Sequence, residues 1–321
     1  VYRKKLPAIA VLDPSIATRN AGDEIISDAA RTEILSLFPQ HFLSTIPTHE
    51  RLATRSYRLA QQSQHTILAG SNILTSNLFW DRGWRYSLRD TLFVHDIISL
   101  ATGWRSYSDK STRLGTMMLK RALSRTAVHS VRDEFTKSKL EALGFGNVVN
   151  TGCVTMWRLD IEKLAALPRR RASSVVTTLN AAHPDVRDRE ISDLLLQNYD
   201  RVFVWPQGID DLDYVKAVFG DRATILGQSL AAYDHLLKTE DDLDFVGNRL
   251  HGGIRAMQMG HRALIFSVDN RATEIRRDTG LPVIERAADM AEIQSNIETP
   301  PRIEISLPDE AIARWRGQFR T

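Results

Sequence analysis

The feature that most constrains this chain is an alternation running almost from end to end. Short aliphatic and β-branched runs are each followed by a stretch with helical spacing. In the first half the strand-like runs are residues 8–12, 66–70, 92–99, 127–131 and 147–151. Helical patterns at 22–38, 51–62, 112–125 and 134–143 lie between them. In the second half the strands are 175–179, 201–205, 223–226, 244–246, 263–268 and 282–285, and the helices 187–199, 211–219, 230–237, 250–259 and 272–278. Strands joined through helices pair in parallel, and the helices cover both faces of the sheet. The expected fold class is α/β, built from Rossmann-like, doubly wound sheets.

At 321 residues the chain has room for two such domains, each with its own core. A basic, small-residue stretch, Arg169-Arg170-Arg171-Ala172-Ser173-Ser174 after Pro168, precedes a fresh apolar strand and reads as the linker. It divides the chain into an N-terminal domain, 1–167, and a C-terminal one, 168–305. A last helix within 306–321, after Pro300-Pro301, is placed to pack back on the first domain. Two doubly wound domains in tandem are expected to turn the carboxyl ends of their strands toward a shared cleft. Ligands bind at those ends, beside helix N-termini.

Lys and Arg exceed Asp and Glu by only 42 to 39, with no concentrated basic face, which argues against a nucleic-acid partner. Cys153, the single cysteine, excludes an internal disulfide or an all-cysteine metal site and suits a reducing, cytoplasmic setting. The longest uncharged stretch, 66–80, is too short to span a bilayer, and the apolar run 6–12 reads as a first strand rather than a signal peptide. Peripheral association with the inner face of a membrane stays compatible with this. The histidines show no metal-ligand spacing, and the triplets Asp211-Leu212-Asp213 and Asp242-Leu243-Asp244 read as helix-opening and strand-preceding acids, so no metal or cofactor is expected.

The strongest chemical candidate is the strand end, polar turn and helix Val246-Gly247-Asn248-Arg249-Leu250-His251-Gly252-Gly253-Ile254-Arg255-Ala256-Met257. Leu250, Ile254 and Met257 form an apolar stripe, while His251, Arg255 and Gln258 share another face. Gly252 and Gly253 weaken a first helical turn, and a ligand approaching the backbone would account for them. The helix N-terminus with Arg249 and Arg255 makes an anion site. A histidine capping a helix between two surface arginines is the structural alternative. After the first strand, Asn20 and Asp23 have capping-box spacing around Gly22, and the same loop offers Asp23 as a carboxylate facing the cleft. Further candidates at strand ends are Gly70, Ser71 and Asn72, then Arg132, Asn180, Gln207, Asn270 and Arg271, each with a structural role equally open. Trp80 and Trp84 either stack on a sugar or belong to the core.

The segment Asn248-Arg249-Leu250-His251-Gly252-Gly253-Ile254-Arg255-Ala256 resembles the Ser/Thr-Arg-Leu-His region of the polysaccharide pyruvyl transferase family. Asn20-Ala21-Gly22-Asp23, Val131-Arg132-Asp133-Glu134 and Asn150-Thr151-Gly152-Cys153 support it in the right order. Departures are Asn248 for the usual Ser or Thr, Arg271 near a frequent Lys, Gly70-Ser71 for Gly-Gly, and Val154 where some members have Pro. The resemblance implies two Rossmann-like domains in a GT-B-like arrangement with an interdomain cleft. It also implies phosphoenolpyruvate as donor substrate and a sugar, oligosaccharide or lipid-linked saccharide as acceptor. The product would be a pyruvate ketal in a surface polysaccharide, exopolysaccharide or capsule, or its precursor. Within that frame His251 is the acid and Asp23 the base; Arg249, Gly252, Gly253, Arg255 and Arg271 are expected to hold the donor anion. A nucleotide-sugar glycosyltransferase of the same fold is the alternative, since a helix N-terminus also suits a pyrophosphate.

Overall fold

Six consecutive buried residues, Ala8–Asp13, form β1. Burial of both faces is why this run is continuously apolar rather than alternating. In the computed structural model, which describes residues 5–80, 83–106, 111–167, 169–268, 270–300 and 302–320, β1 leads into α1 (Ala21–Leu37). The chain continues through β2 (Phe42–Pro47), α2 (Thr54–Gln62), β3 (His65–Ala69), β4 (Asn72–Leu74), β5 (Ile97–Leu100), β6 (Gly103–Trp104), α3 (Arg113–Ala122), β7 (His129–Val131), α4 (Glu134–Ala142) and β8 (Val148–Asn150). Then follow α5 (Ile161–Ala165), β9 (Ser174–Thr177), α6 (Val186–Asn198), β10 (Arg201–Val204), α7 (Asp211–Phe219), β11 (Thr224–Ile225), α8 (Leu230–Thr239) and β12 (Leu243–Gly247). The last elements are α9 (Leu250–Gln258), β13 (Arg262–Ser267), α10 (Asn270–Thr279), β14 (Val283–Glu285), α11 (Met290–Glu298) and α12 (Asp309–Gly317).

The chain divides into two compact units. One holds residues 1–18, 26–154 and 307–321; the other holds 19–25 and 155–306. The division falls at 154/155 rather than at the arginine-rich stretch. The reason is packing: Thr155 accepts through its carbonyl from the Gln258 amide, and Met156 touches Thr279, so the chain joins the second unit well before β9. The arginines are tied down within that unit, Arg170 to Asp242 and Arg171 to Asn198. The composition shift marks the entry to a strand, not a domain boundary.

In the first unit the strands β2-β1-β3-β5 make one parallel sheet, and β4-β6 and β7-β8 make two parallel pairs. Its core gathers Leu12, Leu68, Ile97, Trp84 and Met118. Trp84 is therefore core, whereas Trp80 is 70% exposed. Helix α12 belongs to this unit. Trp315 is fully buried and donates to Ser99 O at 3.0 Å, Arg316 makes two 2.7 Å bonds to Glu33, and the Gln318 amide pairs with the backbone of Val128.

In the second unit all six strands are parallel, in the order β11-β10-β9-β12-β13-β14. Counted within the unit this is 3-2-1-4-5-6, the dinucleotide-fold order, whose direction reverses between β9 and β12. Val175, Val204, Val246, Leu264 and Phe266 supply the sheet's share of the core, and Leu195, Phe219 and Ile293 pack on it from the helices. A crevice at the carboxyl ends of β9 and β12 is the place this topology reserves for a ligand.

Candidate functional site

At that switch point the two strand ends are joined by their backbones. Asn248 N–H donates to Thr178 O at 3.1 Å, and Arg249 N–H donates to Thr178 Oγ1 at 3.1 Å. Gly247 makes the approach possible, because a Cβ there would stand 2.6 Å from Thr178 Oγ1 and 2.7 Å from its nitrogen. Helix α9 starts immediately afterwards, with His251 half-buried at its second position. The N–H groups of its first turn have no acceptor within the helix, so positive potential collects there.

The side chain of Asn248 is the unusual feature. The residue is only 5% exposed, yet neither its Nδ2 nor its Oδ1 has a hydrogen-bond partner. A buried polar group left unsatisfied costs about 1–3 kcal/mol, and native structures tolerate few of them. Gln207, 4% exposed at the end of β10, has a related defect: its Oε1 is buried and unpartnered, while its Nε2 donates to Asn20 Oδ1 at 2.8 Å. Both residues lie at the carboxyl side of the sheet, after strands that flank β9.

Two of the cations expected at this site, Arg249 and Arg255, are otherwise engaged. Arg249 is bidentate to Asp211 at the start of α7, whose carboxylate also accepts from Gly208 N at 2.7 Å and Ala181 N at 3.0 Å. Arg255 is bidentate to Asp234 on α8, at 2.9 and 2.7 Å. Both guanidinium groups thus face carboxylates, and they brace α9 against α7 and α8. The two glycines of α9 also have a packing reason. A Cβ on Gly253 would meet Ile265 Cγ1 at 2.6 Å, and one on Gly252 would meet Gln207 Oε1 and Phe245 at 3.2 Å. Their absence lets the helix lie close on β12 and β13, so no ligand approach is needed to explain them. Tyr233, stacked on Trp205 at 4.1 Å, donates to Gly252 O at 2.8 Å and fixes the first turn from the other side. Asn270 and Arg271 open α10, but their side chains lie outside the described residues.

Asn20, Gly22 and Asp23 belong to this second unit as well, with His251, and not to the first unit. Gly208 and Asn20 form an antiparallel bridge, Ala21 N–H donates to Gln207 O at 3.0 Å, and Ile209 N–H donates to Arg19 O at 2.9 Å. Asn20 Oδ1 also accepts from Gly22 N at 3.0 Å, and a Cβ on Gly22 would stand 2.7 Å from Gln207 Nε2. Asp23 is half-buried in the first turn of α1; burial and then its negative charge push the neighbouring Glu24 carboxyl above its usual range. Asn180 closes a local turn, accepting from Ala182 N at 3.1 Å.

The remaining candidates gather in the first unit. Gly70 and Ser71 are successive left-handed residues, at φ 64° and 62°, between β3 and β4. Gly70 N–H is already spent on Leu100 O, at 2.8 Å. Asn72 and Arg132 converge over Gly103, where a Cβ would meet Asn72 Oδ1 at 1.9 Å and Arg132 Nε at 2.5 Å. Arg132 is almost wholly buried, with Asp133 Oδ2 at 3.6 Å. Sequence reasoning missed Gly103 and the side chain of Asn248. A lone glycine beside Trp104 is the only trace of the first, and the Asn in place of Ser or Thr is the trace of the second.

Comparison with solved structures bears on the fold. The chain is similar to Methanocaldococcus jannaschii UDP-GlcNAc 2-epimerase in complex with UDP-GlcNAc and UDP, at 9% identity and TM-score 0.53 over 94% of this chain and 95% of that one. It is also similar to S. aureus MnaA with UDP (10%, TM-score 0.48, 98% and 91% covered) and to E. coli heptosyltransferase WaaC (12%, 0.34, 81% and 88%). At such identities the first likeness speaks for the fold alone, which is of the GT-B type. No curated protein matches the sequence significantly. The pattern of the family "Polysaccharide pyruvyl transferase" matches residues 20–270, well over half of the chain. This protein belongs to the polysaccharide pyruvyl transferase family and is a transferase with a sugar acceptor.

Proposed function

We propose that the protein transfers the pyruvyl group of phosphoenolpyruvate onto two hydroxyls of a saccharide, forming a ketal in a surface polysaccharide or its precursor. The observation that carries this reading is the start of α9: the buried, unpartnered side-chain amide of Asn248, set at a helix N-terminus with His251 within one turn. Together they suit a small anion that also presents a reacting carbon. The side-chain Nδ2–H of Asn248 and the start of α9 hold carboxylate or phosphate oxygens. Arg249 acts on the donor through the helix it braces.

In the reaction His251 donates a proton to the methylene carbon, which becomes a methyl group and leaves an oxocarbenium-like centre. One saccharide hydroxyl adds to that centre, the C–O bond to phosphate breaks, and the second hydroxyl closes the ketal. Of the two hydroxyl protons, one replaces the proton given to the methyl carbon and the other leaves with phosphate. Asp23, in the same unit as His251, is assigned as the base for the attacking hydroxyl. No metal or organic cofactor enters this scheme. Among the described residues no helix is long and apolar enough to cross a membrane. The reading places the reaction in the cytoplasm, at the inner membrane face where the acceptor is lipid-linked.

Incubation with phosphoenolpyruvate and a panel of saccharides is expected to release inorganic phosphate in an acceptor-dependent way. His251→Ala should lower turnover roughly 10²-fold or more. Turnover at the wild-type rate in that variant refutes the assignment. Stabilisation by UDP with no response to phosphoenolpyruvate refutes the donor.

A further inference from the structure

The first unit carries a cavity that the transfer chemistry leaves unused. It has a volume of about 550 Å³ and opens beside the loops that follow β2 and β4, on the carboxyl side of the strands, where doubly wound sheets bind ligands. Its rim holds Phe79 and Trp80, 45% and 70% exposed, with rings at 4.9 Å and 84° to each other. Large exposed aromatics beside a cavity are costly to keep in water unless something covers them.

Among the described lining residues the exposed charges are of one sign. Arg51, Arg85 and Arg89 line the cavity and are exposed, and among the described residues no ion pair engages any of the three. The only acid among the described lining residues is Asp90, which is 2% exposed and already accepts from Tyr57 Oη at 2.6 Å and Ser87 Oγ at 2.7 Å. The base of the cavity is fixed as well. Arg85 N–H donates to Thr48 O at 2.8 Å, His49 Nδ1 lies 2.9 Å from Gly83 O, and buried Trp84 packs on Tyr86 at 4.7 Å. An aromatic shelf with three exposed guanidinium groups, of which Arg89 also lies 5.8 Å from the centre of the Tyr57 ring, fits a flat, partly apolar ring that carries negative charge.

Resting on the transfer reading, we propose that this cavity binds the acceptor, and that the acceptor is an acidic saccharide. One sugar ring stacks on Trp80, and a carboxylate or phosphate near it meets Arg51, Arg85 and Arg89. A neutral sugar would satisfy the shelf but not the arginines, and inorganic phosphate would satisfy the arginines but not the shelf.

The test is equilibrium binding to the full chain without phosphoenolpyruvate, by calorimetry and tryptophan fluorescence. The probes are a tetrasaccharide alternating glucuronate with N-acetylglucosamine, glucose 1-phosphate, neutral maltotetraose, inorganic phosphate and UMP. Either acidic sugar is expected to bind at least about tenfold more tightly than maltotetraose or phosphate. Which of the two binds distinguishes a uronate from a sugar phosphate as the source of charge. Trp80→Ala should weaken that binding roughly three- to tenfold. The pair Arg85→Gln and Arg89→Gln should weaken it about tenfold and flatten its salt dependence. All three side chains are exposed, and unchanged unfolding midpoints confirm the fold. Equal affinity for maltotetraose, binding of UMP in preference to the sugars, or variants indistinguishable from wild type overturns the proposal. Binding of the acidic sugar with no phosphate release from phosphoenolpyruvate keeps this subsite and removes the transfer reading; phosphate release without such binding does the reverse.

Discussion

Replacing Asp211 by Asn tests what holds the start of α9. The carboxylate is 2% exposed and accepts from Gly208 N, Ala181 N and two nitrogens of Arg249. The amide keeps one acceptor oxygen but turns the other into a donor facing donors. At least one buried N–H then loses its partner, at about 1–3 kcal/mol. Arg249, whose side chain is 16% exposed, also keeps its charge while losing the counter-charge. Breaking a pair this buried brings the whole to about 3–5 kcal/mol. The expected outcome is a loss of at least about 3 kcal/mol, measured as hydrogen-exchange protection of peptides spanning residues 243–258. That readout is local, so the unfolding of two units need not be concerted for it to be meaningful. Adding Arg249→Met should recover part of the loss, with a coupling of about 0.5–3 kcal/mol. A change within about 0.5 kcal/mol, or strictly additive effects, would mean that the pair does not brace this corner and that Arg249 is available to an anion.

Other substitutions separate packing from chemistry. Asn248→Ala removes two unsatisfied atoms, so it should leave stability unchanged or raise it by up to about 1–3 kcal/mol while lowering affinity for phosphoenolpyruvate; a thermal-shift titration reads both, and a destabilised variant with normal affinity contradicts the site. Gly253→Ala forces a methyl against Ile265 and should cost about 1–3 kcal/mol in a urea melt, where a neutral result would show the helix has room to spare. The acid limb of stability should depend on His129. Burial, first among its causes, holds its imidazole below the ordinary value, with Nδ1 accepting from Ser99 N at 3.3 Å and Nε2 donating to Ser124 O at 2.8 Å. The unfolded state therefore binds more protons, so this contribution is complete above about pH 6.5 and is lost as pH falls toward the folded value. Melting temperatures of His129→Gln should accordingly vary less with pH below about 6.5 than those of wild type, and parallel curves would exclude the histidine.

The parts of this fold legible in the sequence are those where both faces of a strand are buried. Ala8–Asp13 and Arg262–Ser267 read as apolar runs because every residue of the first and all but Arg262 of the second are buried. The alternation hid β2, which carries Ser44 and ends in Pro47; it lies at the edge of its sheet, where a proline breaks no ladder. Strands of two or three residues, such as β4 and β6, lack the length to show a period, and the polar surface of α11 masked the stripe of Ile293 and Ile297. At the site, the order strand, polar turn, helix pointed to residues 248–255. What that order could not show is partnership. Asp211 lies 38 positions from Arg249 and Asp234 lies 21 from Arg255, so two arginines that look like anion ligands in one dimension are salt-bridge partners in three. The glycines of α9 were ambiguous for a similar reason: a missing Cβ makes room for a ligand or for Ile265, and only the neighbouring strand decides between them.

The polypeptide passes between its two units at 18/19, 25/26, 154/155 and 306/307. No single cut therefore yields two self-sufficient pieces. A fragment starting near residue 155 lacks the short stretch whose backbone bridges Gly208, and one ending there lacks the tryptophan that plugs the floor beneath Ser99. Chimaeras between relatives must exchange three segments of the first unit, or two of the second, as a set, and a nick near residue 20 should loosen a region encoded almost two hundred codons downstream.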